Sequence, residues 1–87
     1  MRSSARVLGF EVRRTFDDHG LGLLLAEASL EVADPAGASF PTQSEFVLPK
    51  HWRRYFEPGE TVVVWFEPGD RTEELVIDVG RTVRQHD

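Results

Sequence analysis

The sequence predicts an all-β domain, a small five-stranded antiparallel barrel of OB-like form, with an SH3-like barrel as the alternative topology. Apolar and polar residues alternate with period two along most of the chain, and no stretch longer than about eight residues keeps a helical stripe. Turn clusters rich in Gly, Pro and Asp separate the alternating runs. With 87 residues and no cysteine, the chain fits one core and can form neither a disulfide framework nor a thiolate zinc site. A domain of this size buries roughly 60% of the surface its unfolded form exposes, and at ~0.05–0.15 kcal/mol per residue its stability is about 4–13 kcal/mol. Residues 1–87 are read as one domain, with residues 1–4 and 84–87 frayed.

The first strand is expected over residues 5–16, with Leu8, Phe10 and Val12 on one face and Glu11 and Arg13 on the other. Gly9, inside this long strand, marks a bulge or bend that would turn a barrel corner. Asp17-Asp18-His19-Gly20 reads as a hairpin turn. The second strand covers residues 21–33, with Leu24, Ala26, Ala28, Leu30 and Val32 inward and Leu23, Leu25, Glu27, Ser29 and Glu31 outward. After the turn Asp34-Pro35-Ala36-Gly37, a third strand over residues 39–48 points Phe40, Thr42, Ser44, Phe46 and Leu48 inward. Pro41 lacks a backbone donor, so this strand should begin at a sheet edge or aim that position outward.

Residues 49–56 break the alternation. At helical spacing Leu48, Trp52, Tyr55 and Phe56 share one face and Lys50, Arg53 and Arg54 the other, with Pro49 near the first position. No Ser, Thr, Asp or Asn precedes the segment as a cap, so either a short helix or a 3₁₀ turn fits between strands three and four. Phe56-Glu57-Pro58-Gly59-Glu60 and Phe66-Glu67-Pro68-Gly69-Asp70 then repeat one motif, Pro before Gly, which specifies a type II turn. They bracket a fourth strand over residues 61–67. A fifth follows over residues 74–79 with Leu75, Ile77 and Val79 inward, extended through residues 80–83.

The net charge of −5 is unevenly spread. Residues 1–14 carry +3 (Arg2, Arg6, Arg13 and Arg14 against Glu11), and the one concentrated basic segment, Lys50, Arg53 and Arg54, lies in mid-chain between acidic stretches. His19, His51 and His86 are far apart and no pair has metal-ligand spacing. There is no nucleophile elbow, phosphate-cradling glycine loop or calcium loop. The chain therefore reads as non-enzymatic, with no cofactor and no metal. Its longest apolar stretch, residues 21–26, is far short of the ~20 needed to cross a bilayer. The first residues lack the apolar core of a signal peptide, so a cytoplasmic protein without membrane contact is expected.

Two surfaces are candidates for binding. The fourth strand is apolar on both faces: Val62, Val64 and Phe66 serve the core, while Val63 and Trp65, with Val76, Leu23 and Leu25, form a second apolar face that needs a cover. This leads to a protein-interaction or structural module, with a second copy of the chain among the candidate partners. The alternative is a nucleic-acid-binding barrel using Lys50, Arg53 and Arg54 with Arg13 and Arg14. Helical geometry separates those cations from Trp52 and Tyr55, and a chain at −5 is poorly suited to phosphate neutralisation, so the first reading leads.

The run from Gly59 to Asp70, preceded by the turn at Asp34 to Gly37, resembles uncharacterised small bacterial β-barrel domains. In that pattern a Gly-x-x-Val-x-Val strand ends in an aromatic residue and an x-Pro-x-Asp turn, then a short last strand. The similarity in layout covers residues 5–79; the departure is Phe66-Glu67-Pro68 where the pattern has Tyr-Asp-Pro. The resemblance implies a barrel fold and brings no activity with it.

Overall fold

Alternation places the core as it should in β2 (Leu21–Val32): Leu24, Ala26, Ala28, Leu30 and Val32 are all buried in the computed structural model, which describes residues 2–35, 37–66 and 75–86. Around β2 the chain forms β1 (Arg2–Asp18), β3 (Phe40–Pro49), β4 (Thr61–Trp65) and β5 (Val76–Ile77). A 3₁₀ helix, Lys50–Phe56, lies between β3 and β4, and a short helix, α1 (Val79–Arg84), follows β5. The strands are antiparallel in the order β3-β2-β1-β4-β5 and curl into a nearly closed five-stranded barrel. Where the two ends approach, Ser44 Oγ donates to the Leu75 carbonyl at 3.4 Å. β3 is terminal in the strand order and its Pro41 is exposed, which leaves the missing donor without cost.

The turns follow their chemistry. His19 and Gly20 join β1 to β2 with φ of 50° and 84°, the pair of positive values that a two-residue hairpin of matching twist requires. At Glu57-Pro58-Gly59-Glu60, Gly59 has φ of 95° and the Glu60 N–H donates to the Glu57 carbonyl at 3.0 Å, a type II turn. This turn is tied to β1, because Gly59 N–H donates to the Val7 carbonyl and Val7 N–H to the Glu60 carbonyl. The second copy of the motif lies outside the described residues.

The pairing of β1 with β2 skips a residue twice, between Val7 and Gly9 and between Val12 and Arg14. Each skip is a bulge that reverses which face the next residues occupy. Ala5 and Val7 point inward before the first bulge, and Phe10 and Val12 pack against the core after it. The expectation that Leu8 shares their face is therefore corrected: Leu8 is the extra residue and is 50% exposed.

Aromatic residues fill one end of the barrel. Phe56, fully buried, meets Phe46 at 5.4 Å between ring centroids, and Phe46 meets Phe10 edge-on at 6.2 Å. The 3₁₀ helix brings Phe56 there, and Pro49 precedes it in extended conformation with no side-chain cap. Trp52 and Tyr55 lean on the same core, while Lys50, Arg53 and Arg54 are exposed.

The C-terminal segment departs from expectation. Residues 80–83 do not extend β5, which is only two residues long; they belong to α1. The reason is Asp78, whose side chain accepts the Arg81 N–H at 3.0 Å and starts a helix where the strand would have continued. Val83 and Thr82 are buried against the barrel. The ends expected to fray are engaged where they are described. Arg2, Ser3 and Ser4 pair with Trp65, Val64 and Val63, and Gln85 Nε2 donates to the Thr61 carbonyl at 2.6 Å.

The bulge makes adjacent residues unequal. Val7→Ser should cost more than ~2 kcal/mol, a buried methyl pair lost and a hydroxyl buried, whereas Leu8→Ser should stay within ~0.5 kcal/mol. Urea unfolding of the two variants checks this, and equal losses would contradict the register.

Candidate functional site

β4 ends on its outer face with Trp65, 39% exposed, directly opposite Arg2 on one side and Val76 on the other. Val76 is 56% exposed and Val63, two residues back on the same face, is half-buried. The indole is held: its Nε1 donates to Asp78 Oδ2 at 2.9 Å, and the Arg81 guanidinium lies over the ring at 6.0 Å from its centroid. Asp78 thus serves three groups, since Oδ1 accepts the Arg81 backbone N–H and Oδ2 is 3.5 Å from Arg81 Nε. These bonds hold the Asp78 carboxyl below its ordinary range, the Arg81 backbone N–H first and the Trp65 indole next, with smaller help from the Arg81 and Arg84 charges.

α1 completes the edge of β4 beyond the reach of β5. Asp78 N–H donates to the Val63 carbonyl at 2.8 Å, and Thr82 Oγ1 accepts the Val63 N–H at 2.9 Å while donating to the Asp78 carbonyl at 2.8 Å. With Gln85 on the Thr61 carbonyl, two side chains do for β4 what a longer β5 would have done. The same placement opens a cavity of about 690 Å³ on the outer surface between α1 and the β1–β4 pair. Arg2, Arg81 and Arg84 line it, together with Val63, Ser3, Ser4 and Gln85.

Of the predicted apolar face, the structure brings together Val63, Trp65 and Val76 only. Leu23 and Leu25 do point outward, but at the other end of β2, in register with Pro49 and Val47 of β3. They are therefore corrected to a separate patch, joined there by exposed Val47 and Leu21. Alternation gave the right side of the sheet, and register gave the position along it.

The five basic residues of the nucleic-acid alternative do not form one surface. Arg53 and Arg54 are on the 3₁₀ helix, Arg53 bonded to Glu57 at 3.2 Å and lying over Phe10, Arg54 over Tyr55 with 2.8 Å to its hydroxyl. Lys50 runs beside Gly22, where an added Cβ would come within 3.0 Å of its Cδ. Arg13 and Arg14 sit on the long hairpin. Arg14 lies over Phe16, and Arg13 bridges Glu27 at 3.0 Å and Glu11 at 3.4 Å. Glu11, Glu27 and Glu45 stand directly opposite one another across three strands, a repulsive row that Arg13 partly offsets through Glu11 and Glu27. Its own pKa is raised, by the Glu27 bond first and the neighbouring carboxylates after it.

The histidines remain apart: His19 is in the hairpin turn, His51 lies edge-on to Trp52, and His86 rests 4.9 Å from the Tyr55 ring. Among the described residues no group of three or more His, Cys, Asp or Glu could hold a metal, and no helix is long and apolar enough to cross a membrane. No protein-family model, curated protein or solved structure matches the chain.

Sequence reading missed the arginine-lined cavity because it placed residues 80–83 on a strand. The available signal was Asp78 three residues before Arg81, a helix start that puts Arg81 and Arg84 one turn apart. Asp78→Ala should cost roughly 1–2 kcal/mol at neutral pH, from a lost cap and indole bond. A folded-state pKa held low adds stability above the unfolded value, lost as pH falls through the folded one. The gap between wild type and Asp78→Ala should therefore narrow below about pH 4, as followed by urea unfolding.

Proposed function

We propose that this barrel is a non-enzymatic protein-interaction module whose contact face is the outer side of β4 and β5, centred on Trp65. The observation that carries the reading is a large aromatic residue, 39% exposed, fixed by the Asp78 bond and flanked by the exposed Val76 and half-buried Val63. A tryptophan held in one orientation loses little freedom on binding, and such residues dominate interface energies. The connectivity, with β1 between β2 and β4 and the helix between β3 and β4, supports the OB-like form over the SH3-like one. The nucleic-acid reading has less support, because its arginines are dispersed and two of them are already paired to carboxylates.

Trp65→Ala should keep the barrel folded, at a cost of no more than ~2 kcal/mol, because the indole is outside the core. If the variant unfolds instead, the face belongs to the fold and the reading fails. For partnering between copies, light scattering should show mass rising above 9.9 kDa with concentration. Trp65→Ala should abolish that rise and Leu23→Ser should leave it; constant monomer mass overturns pairing between copies.

A further inference from the structure

The cavity beside Trp65 gathers cations from two elements that are distant in sequence. Arg2 comes from the start of β1, and Arg81 and Arg84 from successive turns of α1. Only Arg81 is committed to a carboxylate among the described residues, at 3.5 Å from Asp78; neither Arg2 nor Arg84 forms an ion pair there. Among the described residues the site thus keeps a positive balance, on a chain whose net charge is −5. Asp78 offsets part of the repulsion among these guanidinium groups, and a bound anion would relieve the rest.

We propose that this cavity binds an acidic segment of a partner polypeptide, with side-chain carboxylates on Arg2 and Arg84 and an apolar neighbour on Val63 and Trp65. The proposal rests on the reading of the β4 face as a contact surface and names the chemistry of its partner. A guanidinium presents a planar fork that matches a carboxylate through two parallel hydrogen bonds. The volume, about 690 Å³, exceeds what a single small anion fills and suits a few residues of extended chain. Val63 is in the lining, an apolar surface that a purely ionic ligand would leave uncovered.

Nucleic acid fits less well. Arg81 already lies over one face of Trp65, and no second exposed aromatic residue lines the cavity among the described residues to continue a run of stacked bases. The cationic cluster is also compact rather than a track along which a backbone could run, and the Glu60 carboxylate stands near Gln85, 3.9 Å from the His86 ring.

The test uses the ¹⁵N-labelled full chain at low ionic strength, titrated separately with a capped hexaglutamate peptide, a capped uncharged Leu-Ser peptide and an oligothymidylate. Hexaglutamate should shift the amides of Ser3, Ser4, Val63, Arg81, Arg84 and Gln85 and the Trp65 indole, saturably. Arg84→Ala and Arg2→Ala should each weaken it about tenfold, the loss of one charge-assisted contact, while Arg53→Ala leaves it unchanged. Binding should also fall as salt is raised. If only the uncharged peptide shifts Trp65 and Val76, the contact face stands and the acidic-partner proposal is overturned. If oligothymidylate binds the cavity more tightly than hexaglutamate, the site is one for nucleic acid and the proposal fails. Absence of any shift with hexaglutamate overturns the acidic-partner proposal, while the contact-face reading is decided separately by Trp65→Ala and the mass measurement.

Discussion

The single extra residue at Leu8 decides how one strand can belong to two surfaces. Before it, β1 is flanked by β2 on one side and β4 on the other, and Ala5 and Val7 fill the barrel. At Val7 the turn at Gly59 and Glu60 closes the β4 side with two backbone bonds. Beyond it β1 continues only with β2, as a hairpin whose inner positions, Phe10 and Val12, close over the aromatic cluster around Phe46. Without the bulge, continued alternation from Val7 would turn Phe10 and Val12 toward solvent and Glu11 toward Phe46. The barrel and the hairpin are compatible because parity is reset where the pairing partner changes.

A second constraint sits at the short strand. With two residues, β5 satisfies only the end of β4, and further polar groups of that edge are met by the Asp78 N–H before α1, Thr82 within it and Gln85 just after it. The same turn of helix that solves this hydrogen-bonding problem carries Arg81 and Arg84 to the outer surface. Edge satisfaction and the candidate site are thus one piece of structure. Asp78 is its pivot, bonded at once to the strand through its backbone N–H, to the helix through Oδ1 and to Trp65 through Oδ2.

Much of this was legible in the residues, and the parts that were not share a cause. The inward sets of β2 and β3, the hairpin at His19-Gly20, the type II turn at Pro58-Gly59 and the helical plug ending in Phe56 all follow from period and turn chemistry, which are local. Leu8 and the Leu23–Leu25 pair were misplaced because alternation reports a side of the sheet, while bulges and register report position, and both depend on a second strand. Residues 80–83 were misread because Val79 and Val83 have equal claims on strand and helix; the capping geometry of Asp78 and the need to cover Val63 decided between them. The arginine cavity was invisible for the same reason, since Arg2 and Arg84 meet only after β1, β4 and α1 have been assembled.

Sealing a strand edge with side chains differs in one respect from sealing it with a strand. A paired strand is held by a ladder of backbone bonds, whereas the six-residue α1 is held by the Asp78 cap, the Asp78 N–H, the Thr82 and Gln85 side chains and the burial of Thr82 and Val83, a smaller unit to open locally. Release of α1 would uncover the Val63 N–H and Thr61 carbonyl, a short template for pairing with another extended chain. A ligand bridging Arg2 to Arg84 would clamp that latch shut. On that proposal, occupancy of the outer surface would also keep this edge of the sheet from pairing with another chain.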